Sequence, residues 1–267
     1  MSVDLDIIIV SYNASEDLER CLWSLRTHPP RLPHTVTVVD NASSDGCVDV
    51  ARRSDVTVMP LPVNVGFAAA NNVGIRATDA PLILLLNSDT VVPAGAIDAL
   101  VARLLARPDV AAVGPRLVDA SGTPELSHGP MLSLRTEWAL RRLARRRARG
   151  DRAALAWIQA QTRADHEPDW VTGACLLVRR ADAVRAGLLD ERFFMYTEDV
   201  DFCAALRALG RRILFAADVT VTHLRGRSGA TAPAATRAAY VRSHIAFYRK
   251  HHPWSAPLVR AWHRLGG

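Results

Sequence analysis

The sequence predicts an α/β protein in which helices cover both faces of a mainly parallel, mixed central sheet. Over the first 115 residues, short apolar runs rich in Val, Ile and Leu alternate with amphipathic stretches of helical period. That alternation is typical of parallel strands joined by helical crossovers, which form three-layer structures. With 267 residues and 49% hydrophobic side chains, the chain is long and apolar enough to bury such a core.

The first half of the chain carries five predicted strands and two clear helices. A helix is expected to begin at Ser15, a residue type suited to cap it. Its apolar residues Leu18, Leu22 and Leu25 follow the 3.6-residue period, and a Pro-Pro pair ends it. A second helix is predicted over residues 94–105. The predicted strands are residues 5–10, 36–39, 56–59, 82–86 and 110–113.

The second half mixes longer helices with short strands. Helices are predicted over residues 132–152, 198–209 and 237–250, and Gly210 stands where a helix ends with a left-handed residue. Strands are predicted at residues 171–178, 213–215 and 219–222, and a Gly/Ser/Thr loop at residues 226–232. This half therefore extends the sheet and adds basic helical segments.

Charge is distributed unevenly along the chain. The formal net charge is +6, yet residues 1–134 carry 15 acidic and 9 basic side chains. Residues 135–152 carry 8 basic and 2 acidic side chains, and residues 219–267 carry 8 basic and no acidic ones. An acidic body with two basic segments predicts a partner that bears phosphate or is a membrane surface.

The longest apolar runs fall far short of the roughly 20 residues that a membrane span needs. No basic region precedes the first apolar run, so no secretory signal is expected. The four cysteines are widely spaced and form no CxxC pair, which is typical of free thiols in a reducing compartment. We therefore expect a cytoplasmic protein.

Polar clusters directly follow three of the predicted strands, at residues 11–13, 40–46 and 87–89. A small-residue segment at residues 64–72 leads into a helix between the last two. Turn formation alone explains any one cluster. Because ligands of parallel α/β sheets bind beyond the carboxyl ends of the strands, the three together favour a ligand site. Neither GxGxxG nor GxxxxGK[ST] occurs, so a dinucleotide-dependent dehydrogenase or a P-loop NTPase is unsupported.

Taken in order, these clusters resemble motifs of the family 2 glycosyltransferases of GT-A fold. The resemblance rests on IIVSYN at residues 8–13, VDNASSDG at 39–46, NVGF at 64–67 and LNSD at 86–89. Farther along, FFMYTEDVDF at residues 193–202 resembles the acceptor-side signature of that family. HLRGRS at residues 223–228 resembles the His-x-x-Gly-x-Ser segment of its rhamnosyltransferase-like branch. The matches span about residues 7–228 in the family's order.

The resemblance implies an inverting transfer of a sugar from a nucleoside-diphosphate donor. In that role Asp40 would contact the nucleobase, and Asp89 would hold Mg²⁺ or Mn²⁺ on the diphosphate with His223 as a further ligand. The first position of the family's DxD motif is Asn87 here, so only one carboxylate is available. The implied donor-binding residues are Ser11, Asn13, Asp40, Asn41, Asp45, Gly66, Asn71, Asn87, Ser88 and Asp89.

On the acceptor side, the resemblance implies that Asp199 deprotonates the acceptor hydroxyl and that Glu198 assists or positions it. The aromatic segment 193–196 would place an apolar wall beside these carboxylates, which raises a carboxyl pKa toward that of a general base. Asp201 points elsewhere on a helix and is less suited to this role. One base and no nucleophile pair favour a single displacement. The implied acceptor-binding residues are Trp170, Gly173 and Tyr196, with core packing an equal alternative for Trp170.

We expect residues 1–232 to form one catalytic domain, with a nucleotide-sugar-binding half at 1–115 and an acceptor-binding half at 116–232. Residues 233–267 are expected to form a C-terminal basic helical extension. The resemblance favours dTDP-rhamnose or a UDP-sugar as donor and a lipid-linked or cell-envelope glycan as acceptor. The basic segments 134–152 and 237–264 are either solvated faces or contacts to the anionic inner face of the cell membrane.

The sequence is compatible with two other functions. Asn87 is compatible with a non-catalytic scaffold that binds a sugar nucleotide, but the intact Asp89, Glu198, Asp199 and His223 argue against it. A sugar nucleotidyltransferase shares the α/β layout but would carry a Gly- and Arg-rich loop at residues 11–15, where this chain has SYNAS. Nucleic acid is not expected as a partner, because the chain has no zinc-finger spacing, RNP1-like motif or clear helix-turn-helix signature.

Overall fold

A computed structural model describes residues 4–224 and 233–264 of the chain. Helices pack on both faces of a central sheet, as the sequence predicts. The strands are β1 (Leu5–Ser11), β2 (His34–Asp40), β3 (Thr57–Pro60), β4 (Leu82–Asn87), β5 (Thr90–Val91), β6 (Val110–Val118), β7 (His128–Gly129), β8 (Trp170–Val171), β9 (Cys175–Arg179) and β10 (Arg212–His223).

The helices alternate with these strands in the first half and cluster toward the end of the chain. They are α1 (Ser15–Thr27), α2 (Cys47–Arg52), α3 (Phe67–Arg76), α4 (Ala96–Ala106), α5 (Leu134–Ala148), α6 (Arg152–Gln161), α7 (Arg180–Arg185), α8 (Glu198–Ala208), α9 (Pro233–His251) and α10 (Ala256–Arg264).

The central sheet has eight strands in the order β3-β2-β1-β4-β9-β6-β10-β5. Strands β1 to β4 are parallel to one another, and β6 is parallel to β10. Strand β9 runs antiparallel between β4 and β6, and β5 runs antiparallel at the edge beside β10. The sheet is therefore mixed and mainly parallel. Strands β7 and β8 form a separate two-stranded sheet.

Strand β1 shows how the core is divided between the two faces of the sheet. Leu5, Ile7 and Ile9 pack in the cluster that contains α1 and α4. Ile8 and Val10 pack in the opposite cluster, which contains α3 and α8. Because both faces are covered, the strand is apolar throughout and does not alternate with polar residues.

The basic helix predicted over residues 132–152 ends earlier, at Ala148, and a separate helix begins at Arg152. Ser133 caps α5 with its side chain, and the helix ends at Ala148. Gly150 then adopts a φ of +71°, and the Asp151 carboxylate caps α6. The left-handed glycine and the new cap end one helix and begin the next, which the continuous run of arginines does not reveal.

Two strand predictions also differ from the structure. The strand predicted over residues 171–178 is interrupted between β8 and β9, where the Gly173 N–H donates to the Asp199 carboxylate at 2.9 Å. The strands predicted at residues 213–215 and 219–222 are one strand, β10, whose register with β6 shifts after Ala216. The sequence does not predict α2, α7, β5 and β7, which are only two to six residues long and depend on tertiary contacts. It also does not predict the longer helices α6 and α10, since the helix predicted over residues 237–250 is the last one expected.

Helices α9 and α10 pack on the protein body beside α8. Phe247 and Tyr248 of α9 are fully buried in a cluster with Phe193 and Val200, and Val259 of α10 joins them. The predicted C-terminal extension therefore shares core contacts with the predicted acceptor-binding half. The loop predicted at residues 226–232 and the last four residues of HLRGRS lie outside the described residues. Within the described ranges, no helix has the length and apolarity needed to cross a membrane.

Gly74 offers a direct test of how α3 packs on β1. A Cβ at this position would lie 2.6 Å from Ile8 Cγ2. In an ordinary helix interior, Gly→Ala raises the free energy of unfolding by about 1 kcal/mol. Here we expect overpacking to outweigh that gain, so that Gly74→Ala lowers the free energy of unfolding by about 1–3 kcal/mol in a urea titration. A gain in stability would contradict the close packing of the two elements.

Candidate active site

The register of three parallel strands brings the predicted polar clusters together. Ser11 pairs with Asp40 at the ends of β1 and β2, and Val10 pairs with Asn87 at the ends of β1 and β4. Because parallel strands end at the same edge, the clusters at residues 11–13, 40–46 and 87–89 line one edge of the sheet. This edge, which we call the strand edge, is where the family resemblance predicts that the donor binds.

Asp40 is a buried carboxylate on this edge, with 2% of its surface exposed. Its Oδ2 accepts the Ser43 N–H at 3.0 Å. Its Oδ1 is buried and has no hydrogen-bond partner among the described residues. Burying a carboxylate oxygen without a donor costs free energy. Asp40 Oδ1 is therefore suited to accept a hydrogen bond from a ligand.

Asn41 shapes the loop that joins β3 to α3. Its Oδ1 accepts the Val65 N–H at 2.9 Å, and its Nδ2 donates to Asn64 Oδ1 at 2.9 Å. In the same loop Gly66 adopts a φ of +89°. A Cβ on Gly66 would lie 2.6 Å from the carbonyl oxygen of Phe194. Glycine is required there by the positive φ and by the close approach of the Phe194 backbone.

Ser11 and Asn71 use their side chains to hold this edge together. Ser11 is fully buried, and its Oγ donates to Cys47 Sγ at 3.0 Å. Asn71 is buried within α3, where its Nδ2 donates to the Phe67 carbonyl oxygen at 2.9 Å. Both predicted donor-side residues therefore stabilise the elements that carry the edge.

Asn13 and Asp45 tie the loop after β2 to the start of α1. Asn13 Oδ1 accepts the Ser44 N–H at 2.8 Å, and Asp45 Oδ2 accepts the Ser15 N–H at 2.8 Å. Ser15 is thus the first residue of α1 and not its predicted side-chain cap. Burial raises the pKa of Asp45, but hydrogen bonds with Cys47 and Ser15 outweigh it, so the pKa lies below its ordinary value.

Asn87, which replaces the first aspartate of the DxD motif, lies at the end of β4. Asn87 Oδ1 is buried without a hydrogen-bond partner in the described part of the chain, and Ser88 is buried. Asp89 Oδ1 lies 3.2 Å from Nε2 of His223, the last residue of β10. The two residues predicted as metal ligands are therefore neighbours, although 134 positions separate Asp89 from His223 in the sequence.

Glu125 contacts one of the predicted metal ligands, and the sequence does not reveal this contact. It is 2% exposed, and its Oε2 lies 3.3 Å from His223 Nδ1. Burial lowers the pKa of His223, but hydrogen bonds with Asp89 and Glu125 outweigh burial and raise that pKa to about 9. Glu125 orients the imidazole so that Nε2 faces Asp89. No motif or spacing marks this glutamate.

The segment before α8 packs directly on the loop between β3 and α3 and on the first residue of α3, residues 61–67, which we call the donor loop because the family resemblance implies that it binds the donor. The Phe67 N–H donates to the Phe194 carbonyl oxygen at 2.6 Å. Tyr196 and Thr197 follow with φ values of +71° and +64°, a left-handed backbone that is costly for residues other than glycine. These two residues directly precede Glu198, so tertiary contacts hold a strained turn at the point where the predicted catalytic carboxylates begin.

Glu198 and Asp199 lie at the start of α8 with raised pKa values. Burial and the neighbouring Asp199 charge raise the pKa of Glu198 well above its ordinary value, and its Oε2 has no partner among the described residues. Burial also raises the pKa of Asp199, while hydrogen bonds from the Gly173 and Val200 N–H groups at 2.9 and 2.8 Å oppose that rise. Both pKa values move in the direction expected of a general base in apolar surroundings.

Asp201 has a different role, as the sequence indicates. Its carboxylate lies 2.8 Å from Lys250 Nζ and 2.6 Å from His251 Nε2. Both oxygens are thereby engaged with α9. Asp201 joins α8 to α9 and does not share the surroundings of Asp199.

Gly173 lies between the predicted base, Asp199, and the donor loop. A Cβ on Gly173 would lie 3.4 Å from Asp199 Cβ and 3.7 Å from the Phe67 ring. Trp170 is half-buried against two core clusters, and its indole N–H donates to the Pro130 carbonyl oxygen at 2.8 Å. These contacts are those of a packing residue. Tyr196 is 39% exposed, and its ring centroid lies 5.8 Å from that of Tyr240.

Comparison with known proteins agrees with this geometry. Residues 6–160 match the model of the family described as Glycosyl transferase family 2. The N-acetylglucosaminyl-diphospho-decaprenol L-rhamnosyltransferase of Mycobacterium tuberculosis is 32% identical over 95% of this chain and 87% of its own length. A low-salt glycan biosynthesis hexosyltransferase of Haloferax volcanii is 26% identical over 76% of this chain and 62% of its own length.

Solved structures confirm the predicted GT-A fold. A mannosyltransferase of Pyrobaculum calidifontis in complex with GDP-Man and Mn²⁺ superposes with a TM-score of 0.65 at 20% identity, over 98% of this chain and 69% of its own. The structure of GalNAc-T7 with UDP, GalNAc and Mn²⁺ gives a TM-score of 0.62 at 14% identity, over 84% of this chain and 44% of its own. The family match and the rhamnosyltransferase relative confirm the resemblance found in the sequence. The chain therefore belongs to glycosyl transferase family 2 and is a glycosyltransferase of the rhamnosyltransferase-like kind.

Proposed function

We propose that this glycosyltransferase moves a sugar from a nucleoside-diphosphate donor to a hydroxyl of a lipid-linked, cell-envelope glycan, with inversion at the anomeric carbon. The observation that carries the proposal is the meeting of two segments. The donor loop at Gly66 and Phe67 touches Phe194, and Gly173 lies beside both the Asp199 carboxylate and the Phe67 ring. A donor on the strand edge and an acceptor at Asp199 would then share one cleft.

Asp40 is proposed to select the nucleobase. Its buried, unpartnered Oδ1 calls for a hydrogen-bond donor, and the N3–H of uracil or thymine is one. This chemistry supports a UDP- or dTDP-linked donor. The name of the Mycobacterium tuberculosis relative, an L-rhamnosyltransferase, supports dTDP-rhamnose as the first donor to test.

The residues at the ends of β4 and β10 fit a divalent cation. Within the described residues, no group of three or more His, Cys, Asp or Glu side chains is placed to hold a metal. Asp89 and His223 would supply two ligands, with His223 giving up to the metal the nitrogen that otherwise carries a proton toward Asp89, and the orphaned Asn87 Oδ1 is a further oxygen on the same strand end. With so few protein ligands, phosphate and water oxygens would have to complete the coordination shell. Mg²⁺ and Mn²⁺ accept such a shell. When bound, the cation neutralises charge on the leaving diphosphate.

Asp199 is proposed as the general base. The acceptor hydroxyl gives its proton to the Asp199 carboxylate while its oxygen forms a bond to the anomeric carbon. The bond between that carbon and the diphosphate oxygen breaks on the opposite side, so the configuration inverts. Backbone N–H groups of Gly173 and Val200 fix the carboxylate, and burial raises its pKa toward the range useful for a base. Buried Glu198 is proposed to position Asp199 and the acceptor.

The acceptor side is proposed to receive a lipid-linked glycan, as the decaprenol-bearing substrate named for the relative suggests. Gly173 lies beside Asp199, and Tyr196 stands three residues before Asp199 in the chain. Both would contact the acceptor sugar, and Trp170 would support them. We propose that the enzyme meets this acceptor at the inner face of the cell membrane. In this arrangement residues 1–115 serve the donor, residues 116–232 serve the acceptor, and the helices after residue 232 support the acceptor side.

Replacing the proposed base tests the mechanism. Asp199→Asn removes the proton acceptor but keeps a side chain of the same shape. We expect the transfer rate to fall about 10²–10⁴-fold, the usual contribution of a general base, while nucleoside-diphosphate affinity stays near the wild-type value. Transfer is measured with dTDP-rhamnose and a lipid-linked N-acetylglucosamine acceptor, and affinity is measured by calorimetry.

Asp55→Asn serves as the control, because Asp55 is an exposed carboxylate in the turn between α2 and β3. It should keep full activity. Wild-type turnover in Asp199→Asn would overturn the assignment of the base. Loss of activity together with loss of nucleotide binding would show that Asp199 has only a structural role.

Removing the proposed metal ligand tests the donor site separately. We expect Mn²⁺ to tighten nucleoside-diphosphate binding to the wild-type protein, and we expect this gain to disappear in Asp89→Ala because one of two protein ligands is lost. Calorimetry with and without Mn²⁺ measures the difference, and Asp55→Ala is the matched control. An unchanged Mn²⁺ effect in Asp89→Ala would contradict the proposed ligand set. Absence of nucleotide binding in the wild-type protein would contradict the donor site itself.

A further inference from the structure

A groove of about 790 Å³ lies between α5 and α10, away from the strand edge that forms the donor site. Trp138 and Arg142 of α5 and Leu258 and Trp262 of α10 are among the residues that line it. Its volume is that of a ligand-binding cleft. The reaction proposed above makes no use of it.

Three arginines on one stripe of α5 leave the groove strongly cationic. Arg142, Arg145 and Arg149 are exposed, line the groove, and have no carboxylate partner among the described residues. Their spacing of three and four residues places them on one face of the helix. By contrast, Arg146 pairs with Asp151 at 2.6 Å and is neutralised locally. Guanidinium groups are suited to bind phosphate oxygens in pairs.

The other end of the groove exposes large apolar side chains. Trp138 is 65% exposed, and Leu134 lies one helical turn before it. Across the groove Leu258 is 62% exposed, and Trp254, four residues earlier, is 96% exposed. Exposed apolar residues grouped in this way mark a surface that another partner covers. Along α5 the groove therefore changes from apolar near Leu134 to cationic near Arg149.

The groove is held open by contacts that join three helices. The Arg141 guanidinium lies 3.9 Å from the centroid of the Trp262 ring and donates to the Tyr240 hydroxyl at 3.1 Å. Beneath it, His244 of α9 contacts Glu137 of α5 at 2.5 Å and His263 of α10 at 2.8 Å. These bonds fix α5, α9 and α10 relative to one another, so the groove is formed before a ligand arrives.

We propose that this groove docks the protein on a bilayer by binding the phosphate groups of anionic phospholipids. Arg142, Arg145 and Arg149 bind the headgroups, and Trp138 and Leu258 enter the boundary between headgroups and acyl chains. The groove has one cationic end and one apolar end, which match the phosphate headgroup and the acyl chains of a phospholipid. A nucleic acid, with phosphate along its whole length, would not use the apolar end.

Docking through this groove orients the active site. Tyr240, which receives the Arg141 hydrogen bond, contacts the ring of Tyr196, and Tyr196 stands two residues before Glu198. The bilayer would therefore meet the protein beside its acceptor side. The importance of this orientation rests on the proposed function, because only a lipid-linked acceptor would be presented at the bilayer surface. The docking itself is tested without donor or acceptor.

Vesicle sedimentation tests the cationic end. Wild-type protein is mixed with vesicles of 30% phosphatidylglycerol in phosphatidylcholine, or of phosphatidylcholine alone. We expect Arg142→Gln/Arg145→Gln/Arg149→Gln to lower the partition coefficient on anionic vesicles about 100-fold, because each basic side chain near such a surface contributes about 1 kcal/mol. The control Arg26→Gln/Arg52→Gln/Arg53→Gln removes the same charge from exposed arginines elsewhere and should lower it much less.

A second pair of variants tests the apolar end. Trp138→Ala should weaken vesicle binding several-fold, whereas Trp23→Ala, which removes a 55% exposed tryptophan from α1, should not. Equal losses in the groove variants and their controls would overturn the groove as the docking site and leave only non-specific charge attraction. Absence of wild-type binding to anionic vesicles would also overturn it, as would binding of single-stranded RNA that is tighter than vesicle binding and unaffected by Trp138→Ala. Because no donor is present, a failure here is distinct from a failure of sugar transfer.

Discussion

The hydrogen bond from the Phe67 N–H to the Phe194 carbonyl oxygen joins the two halves of the candidate active site. At 2.6 Å it places the start of α3 against the segment that leads into α8. Gly66 makes this contact achievable, because a Cβ there would lie 2.6 Å from the same oxygen. The strand edge proposed for the donor and the carboxylates proposed for the acceptor are thereby held in one rigid arrangement.

The mixed sheet supplies the second part of this arrangement. Strands β1, β2 and β4 end at the same edge and carry the donor-side residues. Strand β9 runs beside β4 in the opposite direction, so β9 begins at that edge and the residues just before it lie there. There the chain leaves regular pairing and Gly173 binds the Asp199 carboxylate. One irregularity in the sheet therefore positions the residue proposed as the base.

The sequence predicts the strand edge well because its signals are local. Apolar runs end where polar residues begin, and parallel strands bring those ends together. The signals fail where structure depends on distant contacts. Glu125 supports His223 from a segment with no motif, and β10 is one strand only because β6 pairs along its length. Gly150 and Asp151 separate α5 from α6 within an arginine-rich stretch whose composition gives no sign of a helix end.

The site residues show the same contrast between local signals, which the sequence predicts, and distant contacts, which it does not. The types and order of Asp40, Asp89 and Asp199 are readable from motifs, whereas their surroundings are not. The unpartnered oxygens of Asp40 and Asn87 become visible only when neighbouring backbone groups are in place. The salt bridge of Asp201 with Lys250 likewise depends on how α9 docks on α8. Helix docking of this kind is set by side-chain packing over the whole cluster around Phe247 and Tyr248.

Hydrogen–deuterium exchange with and without a nucleoside diphosphate and Mn²⁺ tests most directly whether the two halves act as one site. We expect slower exchange at the strand edge, in residues 11–13, 40–46 and 87–89, and also in residues 193–199, which the Phe67–Phe194 hydrogen bond connects to the donor loop. Protection confined to other parts of the chain, or protection of the strand edge without any change at residues 193–199, would contradict the account.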